Sequence, residues 1–197
     1  ADFRHPDEAN LESSWPPACR LEITTSYRMK LVGITEAQLE ALWREADGNW
    51  AKTLEVGFLF QPTSYPNTRI FAFAQTMGGN VLADQYLANS NCNARLQGRF
   101  DTRVWTPELF VTTTTHEHGH ALGLNHLSDN QATMYPSITQ ASMARRGAPH
   151  SSDLNAAAAL GYKVRAEPPP PPPVGKMEIS VSGRYELPVF TLHHGGD

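Results

Sequence analysis

Two cysteines in 197 residues are too few for a disulfide-knit scaffold, and Cys19 and Cys92 form no C-x-x-C metal or redox pair. No apolar run approaches the roughly 20 residues that a membrane-spanning helix needs. Positive charge is not in excess: 16 Lys and Arg against 20 Asp and Glu leave a net charge of −4. That balance supplies no basic field and argues against nucleic acid as a partner. The chain does not open on a basic stretch followed by an apolar one, so no secretory leader is visible. The chain is therefore read either as intracellular or as starting after a processing point. No internal repeat is present. Histidine is absent from the whole stretch between His5 and His116, yet four of the eight histidines fall between 116 and 126. With 40% hydrophobic and 18% charged residues the composition suits a folded core.

Residues 1–18 are polar, carry Pro6, Pro16 and Pro17, and read as an N-terminal arm. The stretch 21–27 is β-branched and partly alternating, which predicts a strand. Thr35 and Gln38 have the spacing of a capping box, and Leu39, Leu42, Trp43, Ala46 and Trp50 keep helical spacing behind it. Further strands are predicted at 54–60, 69–74 and 81–87, and a short one at 99–101. Thr106 reads as a helix N-cap with Pro107 in the first helical position, and the helix runs to about Leu122, where Gly123 allows a left-handed cap. A last helix is expected from Asp153 to Leu160. Residues 19–165 form the expected domain. Pro168 to Pro173 place a stiff linker at 166–176. The remaining 177–197 read as a tail or the start of a truncated module, too short to fold alone.

The chemistry concentrates in His116-Glu117-His118-Gly119-His120-Ala121-Leu122-Gly123-Leu124-Asn125-His126. On a helix, residues four apart share a face, so His116 and His120 can hold one metal ion. Gly123 permits a sharp turn that returns His126 as a third ligand. Three imidazoles with one open position describe a catalytic zinc rather than a structural one. Glu117 lies beside that face, within reach of a water at the metal. His118 points away from the ligand face. A bare H-E-x-x-H arises by chance in many proteins; the full pattern ending at His126 is much rarer.

Eight residues after His126 stand Met134-Tyr135-Pro136. The zinc pattern followed by this turn resembles the metzincin endopeptidases, and within them the matrixins. The likeness extends to Gly98-Arg99-Phe100-Asp101, Trp105-Thr106 and Leu109-Phe110, to Gly79-Asn80-Val81-Leu82-Ala83, to Trp50 before Leu54, and to Asp153-Leu154. It covers about 20–162. It implies an α+β catalytic domain with a twisted five-stranded sheet, three helices, and zinc on the active-site helix. It implies hydrolysis of internal peptide bonds in protein or peptide substrates bound as an extended strand, with Glu117 as general base and then general acid. Leu82 and Ala83 lie on the strand expected to receive substrate. Pro136 and Ile138 are the expected wall, and Thr112 the base, of a side-chain pocket. Met134, Gly123 and Asp153 take structural roles. One catalytic Zn²⁺ is implied. Gly78-Gly79 with nearby Asp84 hint at a Ca²⁺ loop site, although acidic ligands are sparse. The resemblance also implies a secreted, monomeric protein.

The departures are specific. Leu127 stands where matrixins carry Ser or Thr, and Ser152-Asp153 stands for an aspartate pair. The histidines of a second, structural zinc are missing, and no Pro-Arg-Cys-Gly switch is present. A divergent member, microbial rather than vertebrate, fits these differences. An enzyme of the astacin or serralysin type would need a tyrosine two residues after the methionine, where this chain has Pro136. A zinc-binding or adhesion module without strong catalysis is the other alternative, against which the retained Glu117 argues. Cys19 and Cys92 are expected to pair, closing a loop of about 70 residues worth about 4 kcal/mol in the chain-entropy model.

Overall fold

The computed structural model describes residues 19, 21–87 and 95–166, all within the unit Ala1–Glu167; the arm 1–18 and everything from 167 onward lie outside the described residues. The described elements are strands β1 (Glu22–Arg28), β2 (Gly57–Phe60), β3 (Ile70–Ala74), β4 (Ala83–Leu87) and β5 (Leu96–Phe100), and helices α1 (Glu36–Ala51), α2 (Pro107–Ala121), α3 (Gln140–Ala144) and α4 (Ser151–Ala159). The architecture is α+β, as the sequence implies, with one five-stranded sheet in the order β2-β1-β3-β5-β4. Four strands run parallel and β4 alone is antiparallel, opposing Ala83 to Phe100 and Asp84 to Arg99. β4 is thus an edge strand.

α1 starts where Thr35 and Gln38 exchange bonds: Gln38 N–H donates to Thr35 Oγ1 at 3.2 Å and Thr35 N–H to Gln38 Oε1 at 3.0 Å. Its periodic residues Leu39, Leu42, Trp43, Ala46 and Trp50 are buried. α2 opens on Thr106, whose hydroxyl accepts from Leu109 N–H, with Pro107 in the first turn. From Phe110 to Ala121 every residue of α2 is buried. A helix buried all round that consists largely of Thr, His and Glu must satisfy its polar atoms internally. Thr114 and Thr115 do so by donating to the carbonyls of Phe110 and Val111 four residues back.

Two apolar clusters fill the core. Ile23, Trp50, Leu54, Ile70, Leu96, Leu122, Met134 and Tyr162 belong to one; Leu39, Trp43, Phe60, Ala72, Leu82, Phe100, Trp105 and Phe110 belong to the other. Trp43, Trp50 and Trp105 are almost wholly buried, and each indole N–H finds an acceptor: Thr25 Oγ1 at 2.9 Å, Thr115 O at 2.8 Å and Asp101 O at 2.8 Å. Cys19 is disulfide-bonded and no cysteine is free among the described residues. The only other cysteine of the sequence, Cys92, lies outside them.

Several boundaries differ from the sequence reading, β4 among them, which begins at Ala83 rather than Val81. β5 begins at Leu96 rather than Arg99, because Gly98 sits against Ala72 of β3, where an added Cβ would meet the Ala72 Cβ at 3.3 Å. β2 begins at Gly57, since Leu54 instead bridges to Val164. A short fourth helix, α3, is capped by Thr139 with Ser142 answering, and α4 starts two residues early at Ser151, with His150 before it.

Candidate metal centre

α2 carries His116 and His120 one turn apart, and the chain then turns sharply. Gly123 takes φ +94°, a conformation that a side chain disfavours. Leu124 N–H returns to Gly119 O at 3.1 Å. The turn brings back His126. Its Nε2 lies 3.2 Å from His116 Nε2, which in turn lies 3.1 Å from His120 Nε2. The donor atoms of the three imidazoles all fall within 4.8 Å of one another.

The other ring nitrogens decide the chemistry. His116 Nδ1 is 2.7 Å from Thr133 O and His120 Nδ1 is 2.7 Å from Leu124 O. A carbonyl oxygen only accepts, so each Nδ1 carries the proton and each Nε2 of a neutral ring presents a bare lone pair. Burial first, and then the charges that His120 and His126 would carry, hold His116 well below its ordinary pKa. Protonation is therefore an unfavourable way to relieve lone pairs 3.1 Å apart; a cation between them is a favourable one. Two ligands at ~2.0–2.1 Å from a tetrahedral Zn²⁺ stand about 3.3 Å apart, which fits these distances.

Glu117 follows His116 on α2 and is almost fully buried, at 1% exposure. His118 turns to the opposite side. Its ring stacks on Phe58 at 5.3 Å and meets Trp43 edge-on at 5.0 Å. Its Nδ1 approaches Asp47 Oδ1 at 3.1 Å, an electrostatic contact without hydrogen-bond alignment. Asp47 Oδ2 accepts from Thr25 Oγ1 at 3.1 Å. Asp47 is a member of this buried set that the sequence reading missed, because nothing local in α1 marks it as a partner of a residue 71 positions on.

Met134 is fully buried in the cluster that includes Leu122 and Leu124. A Cβ at Gly119 would lie 2.3 Å from Met134 Sδ, so the methionine reaches the helix only because residue 119 has no side chain. Asp153 at α4 is fully buried and holds this turn. Its Oδ1 accepts from Met134 N–H at 2.9 Å, and its Oδ2 from Thr133 and His150 N–H at 2.8 Å each. Burial pushes the Asp153 carboxyl up, and the three N–H groups only partly offset it. The same Thr133 offers its carbonyl to His116, so Asp153 supports a ring of the centre through one residue.

Leu82 and Ala83 are buried at the β4 edge and share a cluster with Val111 of α2, against which Ile138 packs. Pro136 and Ile138 are half-buried after Met134. Thr112 lies one turn before His116, fully buried, and its hydroxyl has no hydrogen-bond partner among the described residues. Its backbone lies against Gly147, where an added Cβ would meet Thr112 Cα at 2.9 Å. Asp84, the acidic residue of the calcium hint, is engaged by both Nε and Nη2 of Arg99.

No curated protein matches the chain. The matrixin family model matches residues 23–161, a span that holds β2 to β5 and all of β1 but Glu22, the three imidazoles and the Met134 turn. With that match over most of its length, the chain belongs to the matrixin family of zinc metallopeptidases.

Proposed function

We propose that this matrixin is an endopeptidase that binds one zinc ion through His116, His120 and His126 and cleaves internal bonds of polypeptides lying along β4. The observation that carries the reading is the convergence of the Nε2 atoms while the Nδ1 atoms of His116 and His120 are committed to carbonyls. Zinc, when bound, supplies Lewis-acid polarisation and water activation. Glu117 is the general base: its carboxylate takes a proton from the attacking water and hands it to the leaving amine. Met134 closes the floor behind the imidazoles, and Asp153 keeps that floor in place. The open side of β4 at Leu82 and Ala83 receives substrate backbone as an added strand. Thr112, Pro136 and Ile138 shape the pocket for the side chain after the cut.

The family and the disulfide at Cys19 support a secreted setting, where such bonds persist. No helix among the described residues is long and apolar enough to cross a membrane. The test is cleavage of a quenched peptide library by the zinc-loaded chain, with chelation and zinc return. Internal cuts that stop on chelation and resume with zinc are expected. An inert protein at full zinc occupancy, or cleavage indifferent to chelation, contradicts the reading.

A further inference from the structure

The segment that delivers the chain to the β4 edge has little structure of its own. Between Ala74 and Ala83 no regular strand or helix forms, and Gly78, Gly79 and Asn80 are exposed. Gly79 sits at φ +63° with open space where a Cβ would lie. Leu82 is the residue of this segment seated in the core, and the exposed 78–80 stretch before it buries no side chain, so that stretch is placed by polar ties.

Those ties converge on one pair. Asp101, just past β5, is buried; its Oδ1 accepts from Met77 N–H at 2.8 Å and its Oδ2 from Arg103 Nε at 2.6 Å. The same guanidinium continues across the loop. Its Nη2 reaches Gly79 O at 3.4 Å and Val81 O at 3.3 Å. One positive group thus gathers a carboxylate oxygen and two carbonyl oxygens from two segments of chain. Burial by itself would raise the Asp101 carboxyl; the Met77 N–H and Arg103 more than offset it and hold it below its ordinary value. Two ladder pairs along, Arg99 binds the Asp84 carboxylate with both Nε and Nη2. Cation and oxygens in this quarter are both built from the chain.

The tie ends at a consequential place. Asp101 N–H donates to Leu82 O at 2.8 Å. Inward and outward bonding alternate along an antiparallel pair. Ala83, the next residue, therefore turns its N–H and C=O away from β5, to the open side of the edge strand. We propose that Arg103 is a positioning residue: an internal cation that fixes the 79–82 segment, and with it the height and direction of the backbone groups that Ala83 offers to an extended polypeptide. The consequence for substrate rests on the peptidase reading; the placement of the loop does not.

The experiment compares wild type, Arg103→Ala and Arg103→Lys as full-length, zinc-loaded chains. Amide hydrogen exchange in peptides covering 77–84 is expected to quicken at least about tenfold in R103A, with α2 peptides unchanged, since losing a charged hydrogen-bond donor opens only what it held. KM for an extended peptide rises at least about fivefold while kcat stays within about twofold, because uniform binding is lost rather than chemistry. R103K recovers part of both, as a point charge that cannot span all three oxygens. Free guanidinium ion at about 50 mM slows exchange in R103A and leaves wild type unaltered. Unchanged exchange in 77–84, exchange quickened equally in α2, or a fall in kcat with KM unmoved overturns the proposal. If wild type cleaves nothing, the peptidase reading fails, and the exchange and guanidinium arms still decide whether Arg103 places the edge.

Discussion

At Gly119 a methyl group has nowhere to go. Met134 Sδ would lie 2.3 Å from it and Trp50 Cζ2 2.9 Å. Gly119→Ala is expected to cost about 1–3 kcal/mol by overpacking, read as a lowered urea midpoint at unchanged slope. On the other side of the same helix His118 and Asp47 are both buried. Asp47→Ala leaves the buried Thr25 hydroxyl without its acceptor and His118 without its neighbour, an expected loss of about 1–3 kcal/mol in the same measurement. His116 carries a pH dependence. In the unfolded chain it takes a proton near pH 6.5, whereas burial and its two histidine neighbours hold the folded ring neutral to much lower pH. The folded, metal-free protein then binds fewer protons than the unfolded one, so its stability rises with pH through that region and falls on acidification below about 6.5. His116→Asn should flatten that slope of melting temperature between pH 7 and 5; an unchanged slope contradicts the assignment.

Elements meet at Asp153. From α4 it ties Thr133, Met134 and His150 by their N–H groups, and Thr133 in turn orients His116. Asp153→Ala leaves buried donors unpaired, and a support one residue removed from a ligand is worth roughly 10–100-fold in metal affinity. Zinc affinity by chelator competition should fall by that factor; an unchanged affinity would reduce Asp153 to a helix cap. Much at this scale was legible in the sequence, because local chemistry wrote it. The Thr35–Gln38 cap, the Thr106-Pro107 start and the Gly123 stop each lie within a turn of what they control. Histidines four residues apart on one helix are local too. What escaped notice was set at a distance. β5 extends back to Leu96 because residues 96–98 pair with 70–72 of β3, where Gly98 has no side chain to crowd Ala72, and α3 is five residues long with no apolar period to announce it. Asp47 and Arg103 have roles that appear only when the sheet brings distant segments together.

For the whole molecule, the disulfide at Cys19 restrains the unfolded chain more than the folded one. Reduction, or Cys19→Ser with Cys92→Ser, should remove about 4 kcal/mol and lower the melting temperature by roughly 10 °C. Two titratable thiols in the unreduced, denatured protein would contradict the pairing. The match over 23–161 ends at the close of α4, so the activity proposed here belongs to the described unit. The proposed mechanism is a division of labour in which three imidazoles would hold the metal and Glu117 would move the proton. The most direct test is the rate of peptide hydrolysis by Glu117→Ala beside wild type, each with its zinc content measured on the same sample. The account predicts about one zinc per chain in both and a rate lowered by a factor of about 10³ or more in the variant. Near-wild-type hydrolysis by a fully loaded variant would contradict it.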